Sequence, residues 1–99
     1  MKIAVTGGSG FVGRHVLAEF ASRGIDVVAT TRHELPRSTP SARARWVTLD
    51  MAQPPDSSMA ALGHPDVLLH LAWSGLPHYR SLHHFETELP LQYRFLAGL

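Results

Sequence analysis

Cysteine is absent from the 99 residues, which excludes disulfides and thiolate metal sites. Lysine is nearly absent, since Lys2 stands against eight arginines. No apolar run approaches the roughly 20 residues of a membrane-spanning helix, and the first residues lack the layout of a signal peptide. The formal net charge of +1 provides no attraction to nucleic acid or to a membrane surface. We therefore expect a cytoplasmic protein with no nucleic-acid partner and no membrane partner.

The composition is that of a globular protein. Hydrophobic residues make up 44% of the chain and charged residues 17%, which argues against disorder. A chain of this length supports one small domain with a modest core. We expect a single domain over residues 1–99.

A glycine-rich turn, Thr-Gly-Gly-Ser-Gly-Phe-Val-Gly at residues 6–13, follows an apolar run and precedes a helical pattern. Gly7 suits a tight turn, Gly10 allows close approach of a pyrophosphate, and Gly13 allows the helix to pack on the strand. The backbone N–H groups from Gly10 to Val12 then point at phosphate oxygens, assisted by the helix dipole. The alternative is a structural turn without a ligand.

A P-loop is excluded at this turn. Gly13 is followed by Arg14 and His15, where a P-loop has lysine and then serine or threonine. The turn therefore predicts a dinucleotide site, because the strand–turn–helix context is the one in which such glycines hold a pyrophosphate.

Hydrophobic periodicity predicts alternating strands and helices. Short apolar runs predict strands at residues 2–6, 26–31, 46–49 and 66–71. Helical spacing predicts helices from Phe11 to a stop at Gly24, from Met59 to Gly63, and from about Ser81 onward. Strand, helix and strand within about thirty residues form a βαβ unit with parallel strands. The expected fold is α/β, a doubly wound parallel sheet of four strands with flanking helices, with the fourth and most apolar strand at its centre.

The last predicted helix has an apolar face of Phe85, Leu89, Leu96 and Leu99, with Tyr93 between them. Because the chain stops inside this helix, we interpret it as a truncated N-terminal part of a longer protein. The fourth strand would then be an exposed apolar edge, which predicts self-association.

The end of the second strand predicts the cofactor. Thr31 and Arg32 occupy the position at which NAD-binding proteins have an acidic residue that accepts hydrogen bonds from the adenosine ribose. An arginine at this position can instead pair with the 2′-phosphate of NADP. This favours NADP over NAD. Arg32 as a solvent-exposed bystander is the alternative.

Two further strand ends lie at the predicted ligand edge. Asp50 could accept from an adenine amino group or could cap the next turn. His70, Leu71 and Ala72 end the fourth strand at the same edge. Trp73 beyond them could contact a substrate or pack within its loop.

Seven histidines raise the question of a metal site. His78, His83 and His84 are close in sequence, but their spacing matches no familiar ligand set. We therefore expect no metal site.

Three motifs in order resemble one family, the extended short-chain dehydrogenase/reductases of the NAD(P)-dependent epimerase/dehydratase group. The glycine turn resembles its TGGxGFxG fingerprint, Asp50-Met51 its Asp-Leu pair, and residues 66–72 its DVVIHLAA strand. The resemblance implies a Rossmann fold, NAD(P) as cofactor, and a nucleotide sugar or similar carbonyl compound as substrate. With the arguments above, the candidate cofactor-binding residues are Gly7, Gly10, Phe11, Val12, Gly13, Thr31, Arg32, Asp50, Met51, Leu71, Ala72 and Trp73.

The family's catalytic Tyr-x-x-x-Lys pair is missing from this sequence. Tyr79 is followed by His83 at that spacing, and Tyr93 by Ala97. We therefore expect no catalytic residue here, and interpret the chain as the cofactor-binding part of an NADP-preferring oxidoreductase, with a homodimer of the longer protein as a further hypothesis. The alternative is a non-catalytic dinucleotide-binding or redox-sensing module.

Overall fold

Four parallel strands form one sheet in a computed structural model that describes residues 1–32, 43–74 and 76–99. The order across the sheet is β3-β2-β1-β4, and every neighbouring pair is parallel. The predicted α/β class with a parallel sheet is therefore confirmed. The strands are β1 (Ile3–Thr6), β2 (Val27–Thr31), β3 (Ala44–Thr48) and β4 (Val67–His70).

The helices lie between these strands along the chain. Helix α1 (Phe11–Ser22) ends two residues before Gly24, whose φ of +70° is the left-handed conformation that stops a helix. Helix α2 (Ser58–Ala61) is capped by Ser57, whose hydroxyl oxygen accepts from the Ala60 amide at 3.2 Å. A 3₁₀ turn (Leu76–His78) and a π-helical turn (His84–Glu88) lead into α3 (Leu89–Ala97).

The register brings all four carboxyl ends of the strands to one edge of the sheet. Thr6 at the end of β1 pairs with His70 at the end of β4, and Thr31 pairs with Thr48 across β2 and β3. An open parallel sheet binds ligands at this edge. The glycine turn begins here, directly after Thr6.

Two apolar clusters cover the sheet, and their side chains alternate along β1. Ala4 packs with Leu62 and Phe95, which belong to the α2 and α3 side. Val5 packs with Leu17 of α1. Because neighbouring side chains of a strand point to opposite faces, helices cover both faces of the sheet, as the doubly wound prediction requires.

The prediction that β4 is the central strand is wrong for this chain. Strands β1 and β2 occupy the middle of the sheet, and β4 pairs with β1 alone among the described strands. Val67 at its start is exposed. The apolar character of β4 was a poor guide to its position, because an apolar strand can also lie at an edge. The edge position agrees with the other expectation for this strand, that it forms an exposed apolar edge.

The apolar residues predicted on one face of the last helix are exposed in the structure. Phe85 is 72% exposed, while Phe95 on a different face is 5% exposed and packs in the core. The buried face also carries Glu88 and Gln92, which make hydrogen bonds to the end of β4. Polar residues are buried here because they have partners, a condition that a count of apolar residues does not detect.

Most of the residues between β2 and β3 lie outside the described residues, which resume at Arg43. No helix among the described residues is long and apolar enough to cross a membrane.

Candidate cofactor site

The glycine turn is built by close backbone contacts that leave no room for side chains. A Cβ at Gly7, whose φ is +69°, would lie 2.8 Å from the Ala72 amide nitrogen and 2.9 Å from the Leu71 carbonyl carbon. A Cβ at Gly13 would lie 2.2 Å from the Gly7 carbonyl oxygen. Gly7 therefore has the tight-turn role predicted for it. Gly13 allows the close packing predicted for α1, but its close contacts are with Gly7 and Gly8 of the turn and not with the strand.

Gly8 belongs to the same packing, although the sequence analysis did not select it. A Cβ there would lie within 3.1 to 3.3 Å of Ala29, Trp46 and Leu17 side-chain atoms. Its amide donates to the Thr30 carbonyl at 3.0 Å, which ties the turn to β2. The sequence feature that could have indicated this packing role is the Gly-Gly pair, of which Gly8 is the second residue.

Gly10 is less crowded than Gly7, Gly8 and Gly13. Its backbone is extended, with a φ of −76°, and a Cβ there would make one tight contact, 3.3 Å from the Gly7 carbonyl oxygen. Gly10 is exposed and stands at the N-cap of α1, where it has no side chain to cap the helix. An exposed residue without a side chain is what close approach of a ligand would need.

The first turn of α1 presents uncapped backbone donors. It contains no acidic residue, and the Phe11 and Val12 side chains are exposed. The first N–H groups of an α-helix have no intrahelical acceptor, and they form the positive end of its dipole. This end of α1 can therefore bind an anion such as a phosphate.

The end of β2 is tied to the glycine turn. The Ser9 and Thr31 hydroxyls are hydrogen-bonded at 3.2 Å, and Thr31 is buried. Arg32 is exposed directly after it. Arg32 therefore follows the residue that bonds to the turn, and its side chain is accessible, as both of its predicted roles require.

Asp50 caps a turn, as one of the two alternatives predicted. Its Oδ1 accepts from the Ala52 amide at 2.9 Å, and its carbonyl accepts from the Gln53 amide at 3.1 Å. The adjacent Leu49 amide donates to the Thr31 carbonyl at 2.9 Å, which places Asp50 at the ligand edge. Met51 is partly buried against the core cluster of Ala4 and Leu49.

The segment Leu71–Ala72 is held against the glycine turn by Thr6. The Thr6 hydroxyl oxygen accepts from the Leu71 amide at 3.1 Å and from the Ala72 amide at 3.3 Å. With both acceptor positions occupied, the Thr6 hydroxyl donates to His70 Nδ1 at 2.6 Å. This brings Gly7, Leu71 and Ala72 together, as the site prediction requires.

Trp73 packs within its loop, as one of its two predicted roles requires. Its indole N–H donates to His84 Nδ1 at 2.7 Å, and the two rings are stacked with centroids 6.0 Å apart. His84 Nε2–H donates in turn to the His78 carbonyl at 2.9 Å. Trp73 remains partly exposed, so the same side chain can also face a ligand.

A buried polar network that was not predicted from the sequence lies behind the segment that follows β4. His70 Nε2–H donates to Gln92 Oε1, and Gln92 Nε2 donates to the Ala72 carbonyl at 2.6 Å and to Glu88 Oε1 at 2.8 Å. Glu88 also accepts from the Ser74 amide at 3.2 Å and the Ser74 hydroxyl at 2.7 Å. The sequence feature that could have indicated this network is the spacing of Glu88 and Gln92, two polar residues four positions apart in a predicted helix.

Glu88 is a charged group in a buried position. Burial raises the pKa of its carboxyl, but hydrogen bonds from the Ser74 hydroxyl, Gln92 and the Ser74 amide, together with the nearby His83, hold the pKa below its ordinary value. His83 Nε2 lies 3.4 Å from Glu88 Oε2. The carboxylate is therefore ionised at neutral pH.

The histidines do not form a metal site in the part of the chain that the structure describes. No group of three or more His, Cys, Asp or Glu side chains there is arranged to hold a metal ion. His84 and His83 instead bond to Trp73 and Ser74.

Comparison with known proteins agrees with this geometry. Residues 3–87 match the model of the NAD dependent epimerase/dehydratase family. The chain belongs to this family. The match includes the glycine turn and all four strands.

Two curated relatives show how much of a longer protein this chain represents. An uncharacterised protein of Mycobacterium tuberculosis (strain ATCC 25618 / H37Rv) is 41% identical over 73 residues, which are 74% of this chain and 8% of that protein. The dTDP-6-deoxy-L-talose 4-dehydrogenase (NAD(+)) of Aggregatibacter actinomycetemcomitans is 28% identical over 100 residues, covering 100% of this chain and 37% of the enzyme. This chain therefore spans only a minor part of the length of these relatives.

Solved structures of family-like enzymes share the fold. MoeE5 in complex with UDP-glucuronic acid and NAD matches with a TM-score of 0.60 and 29% identity, over 95% of this chain and 28% of MoeE5. Vestitone reductase from alfalfa (Medicago sativa L.) matches with a TM-score of 0.59 and 26% identity, over 74% of this chain and 25% of the reductase. These matches confirm the Rossmann-type fold.

Proposed function

We propose that this chain binds the dinucleotide NAD(P) at the carboxyl edge of its sheet. The observation that carries the proposal is the uncapped N-terminus of α1 at the exposed Gly10, in a turn whose other glycines are required by packing. Family membership supports it, as does MoeE5, whose structure contains NAD.

The proposed arrangement assigns a part of the cofactor to each strand end. The Gly10 amide donates to the Gly7 carbonyl at 3.1 Å, so the expectation that it faces a phosphate is wrong. The amides of Phe11, Val12 and Gly13 would hold the pyrophosphate. Thr31, Arg32 and the Asp50–Met51 pair would face the adenosine half, beyond β2 and β3. Gly7 and the segment Leu71–Trp73 would face the nicotinamide half, on the β4 side. Bound there, the cofactor would supply a hydride donor or acceptor.

We further propose that Arg32 favours NADP over NAD. Its guanidinium is exposed at the end of β2, where it can pair with a 2′-phosphate in the bidentate geometry that arginine favours. The talose dehydrogenase relative is named for NAD(+), so the preference needs a direct test on this chain.

The longer protein is proposed to transfer a hydride between nicotinamide and a sugar-like carbonyl or alcohol. The relatives named for dTDP-6-deoxy-L-talose and bound to UDP-glucuronic acid support a nucleotide sugar as that substrate. The 99 residues contain no Tyr-x-x-x-Lys, so we assign cofactor binding to this chain and no catalytic residue. For the same reason, a non-catalytic dinucleotide-binding module is the second candidate.

Titration of the protein with NADPH and NADH, followed by the fluorescence of the reduced nicotinamide, tests both claims. We expect both to bind, with NADPH tighter, and Arg32→Ala to weaken NADPH alone. Arg14→Ala, an exposed arginine on α1, is the matched control. If neither nucleotide binds, the proposed function is overturned, whereas equal or tighter binding of NADH would overturn only the role of Arg32.

A further inference from the structure

We infer that Glu88 is a positioning residue for the nicotinamide half of the cofactor, acting through the segment Leu71–Ser74. This inference rests on the proposed function, because the segment matters to a ligand only if a dinucleotide binds at this edge. Glu88 does not face the open site itself. It is 4% exposed and lies behind the segment, at the end of the π-helical turn.

The first step is the attachment of Ser74 to Glu88. Two oxygens of one carboxylate accept from the backbone amide and the hydroxyl of the same residue, at 3.2 and 2.7 Å. A pair of bonds to one residue fixes its position and its orientation, and hydrogen bonds to a charged acceptor are stronger than neutral ones. Ser74 is the last residue of the segment, so its C-terminal end is held.

The second step is the attachment of Ala72 through Gln92. The side-chain amide of Gln92 bridges Glu88 Oε1 at 2.8 Å and the Ala72 carbonyl at 2.6 Å. The bond to Glu88 holds the amide nitrogen toward the sheet, and His70 Nε2–H donates to the amide oxygen. The Gln92 side chain is therefore held at both ends, and it cannot rotate without losing bonds at each.

The third step connects this network to the glycine turn. Ala72 is the residue against which Gly7 packs most closely, and its amide is bonded to Thr6. The backbone of Ala72 is therefore fixed from the turn side by its amide and from the helix side by its carbonyl. A shift of Glu88 would move this backbone relative to the turn.

Glutamine does not fully replace this carboxylate. Three donors converge on Glu88, from the Ser74 amide, the Ser74 hydroxyl and Gln92, and His83 Nε2 lies 3.4 Å from Glu88 Oε2. A glutamine side chain has no charge and would turn an NH₂ group toward one of these donors, so the bonds that hold Ser74 and Gln92 would be weakened or lost. Glu86, which is exposed on the same π-helical turn, offers a matched control that leaves the network intact.

The test compares a whole dinucleotide with its adenosine half. Affinities of NADH, NADPH and ADP are measured for wild type, Glu88→Gln and Glu86→Gln by isothermal titration calorimetry. ADP lacks the nicotinamide half, and so it does not depend on the segment Leu71–Ser74. We expect Glu88→Gln to weaken NADH and NADPH about tenfold, the equivalent of one hydrogen bond, and to leave ADP binding unchanged. Glu86→Gln should change none of the three.

Two outcomes would overturn the inference. Unchanged NADH affinity in Glu88→Gln would show that the network does not position the cofactor, and equal losses for NADH and ADP would show a general loss of structure. If Glu88→Gln fails to fold, Ser74→Ala removes one bond to the carboxylate and should weaken NADH but not ADP. Wild-type protein that binds none of the nucleotides would overturn the proposed function itself.

Discussion

The two halves of the ligand edge are built in opposite ways. The half around Gly7–Gly13 consists of backbone packed so closely that added Cβ atoms would collide with it. The half around Leu71–Ser74 is held by side chains that reach it from β1, β4, the π-helical turn and α3. The first half therefore depends on missing side chains, and the second on side chains with specific partners.

This difference explains which half can tolerate change. In the glycine turn, three positions (Gly7, Gly8 and Gly13) are packed on several sides, whereas a Cβ at Gly10 would meet the Gly7 carbonyl oxygen alone, at 3.3 Å. In the β4 half, the buried groups Glu88 and Gln92 have partners, and removing any one of them leaves the others unsatisfied. In the glycine turn, we therefore expect some substitutions to change stability and others to change nucleotide affinity. In the network of Glu88 and Gln92, we expect each substitution to change both.

The largest effect is expected at Gly13. Gly13→Ala would place a Cβ 2.2 Å from the Gly7 carbonyl oxygen, and we expect it to lower the free energy of unfolding by at least about 3 kcal/mol. Thermal unfolding followed by circular dichroism measures this loss. Gly10→Ala is the control, since it should cost less than about 1 kcal/mol while weakening nucleotide binding. Similar losses at both positions would contradict the distinction.

The next effect tests which face of the last helix is buried. Phe95 lies in the core and stacks on His70 with ring centroids 5.2 Å apart. Phe95→Ala should destabilise the protein by about 3 to 4 kcal/mol, whereas Phe85→Ala, on the exposed face, should cost no more than about 0.5 kcal/mol. Chemical denaturation of both variants gives the comparison. A larger loss at Phe85 would contradict the burial of Phe95 and the exposure of Phe85.

A smaller loss is expected when Glu88 is truncated. Glu88→Ala would leave the Ser74 and Gln92 donors without their acceptor, which should cost about 2 kcal/mol. Glu86→Ala should stay within about 0.5 kcal/mol of wild type. Urea unfolding of the two variants at neutral pH measures the difference. Equal stabilities would show that the network does not hold this half of the edge.

The smallest effect is the pH dependence of the same group. Because the pKa of Glu88 is lowered in the folded protein, its contribution to stability is fully present above the unfolded pKa of about 4.3. It is lost as pH falls through the lower folded pKa. The stability difference between wild type and Glu88→Gln should therefore shrink as pH is lowered below about 4. A difference that grows at low pH would contradict the sign of the shift.

The parts that could be predicted from the sequence are those that depend on nearby residues. The order of strands and helices follows from local periodicity, and Gly7 was assigned its tight-turn role correctly, since turn geometry restricts the residue type. The position of β4 and the buried face of α3 could not be predicted in this way. Both depend on which elements meet in three dimensions, as when Gln92 finds its partner in Ala72, twenty residues earlier.

The most direct test is an amide chemical-shift titration of the ¹⁵N-labelled protein with NADH. We expect the largest shifts at the amides of Phe11 and Val12 and smaller shifts at Leu71 and Ala72. The amides of α2, which has its own serine cap and lies away from the turn, should not move. Unchanged amides at Phe11 and Val12 at saturating NADH would contradict the claim that this turn binds the pyrophosphate.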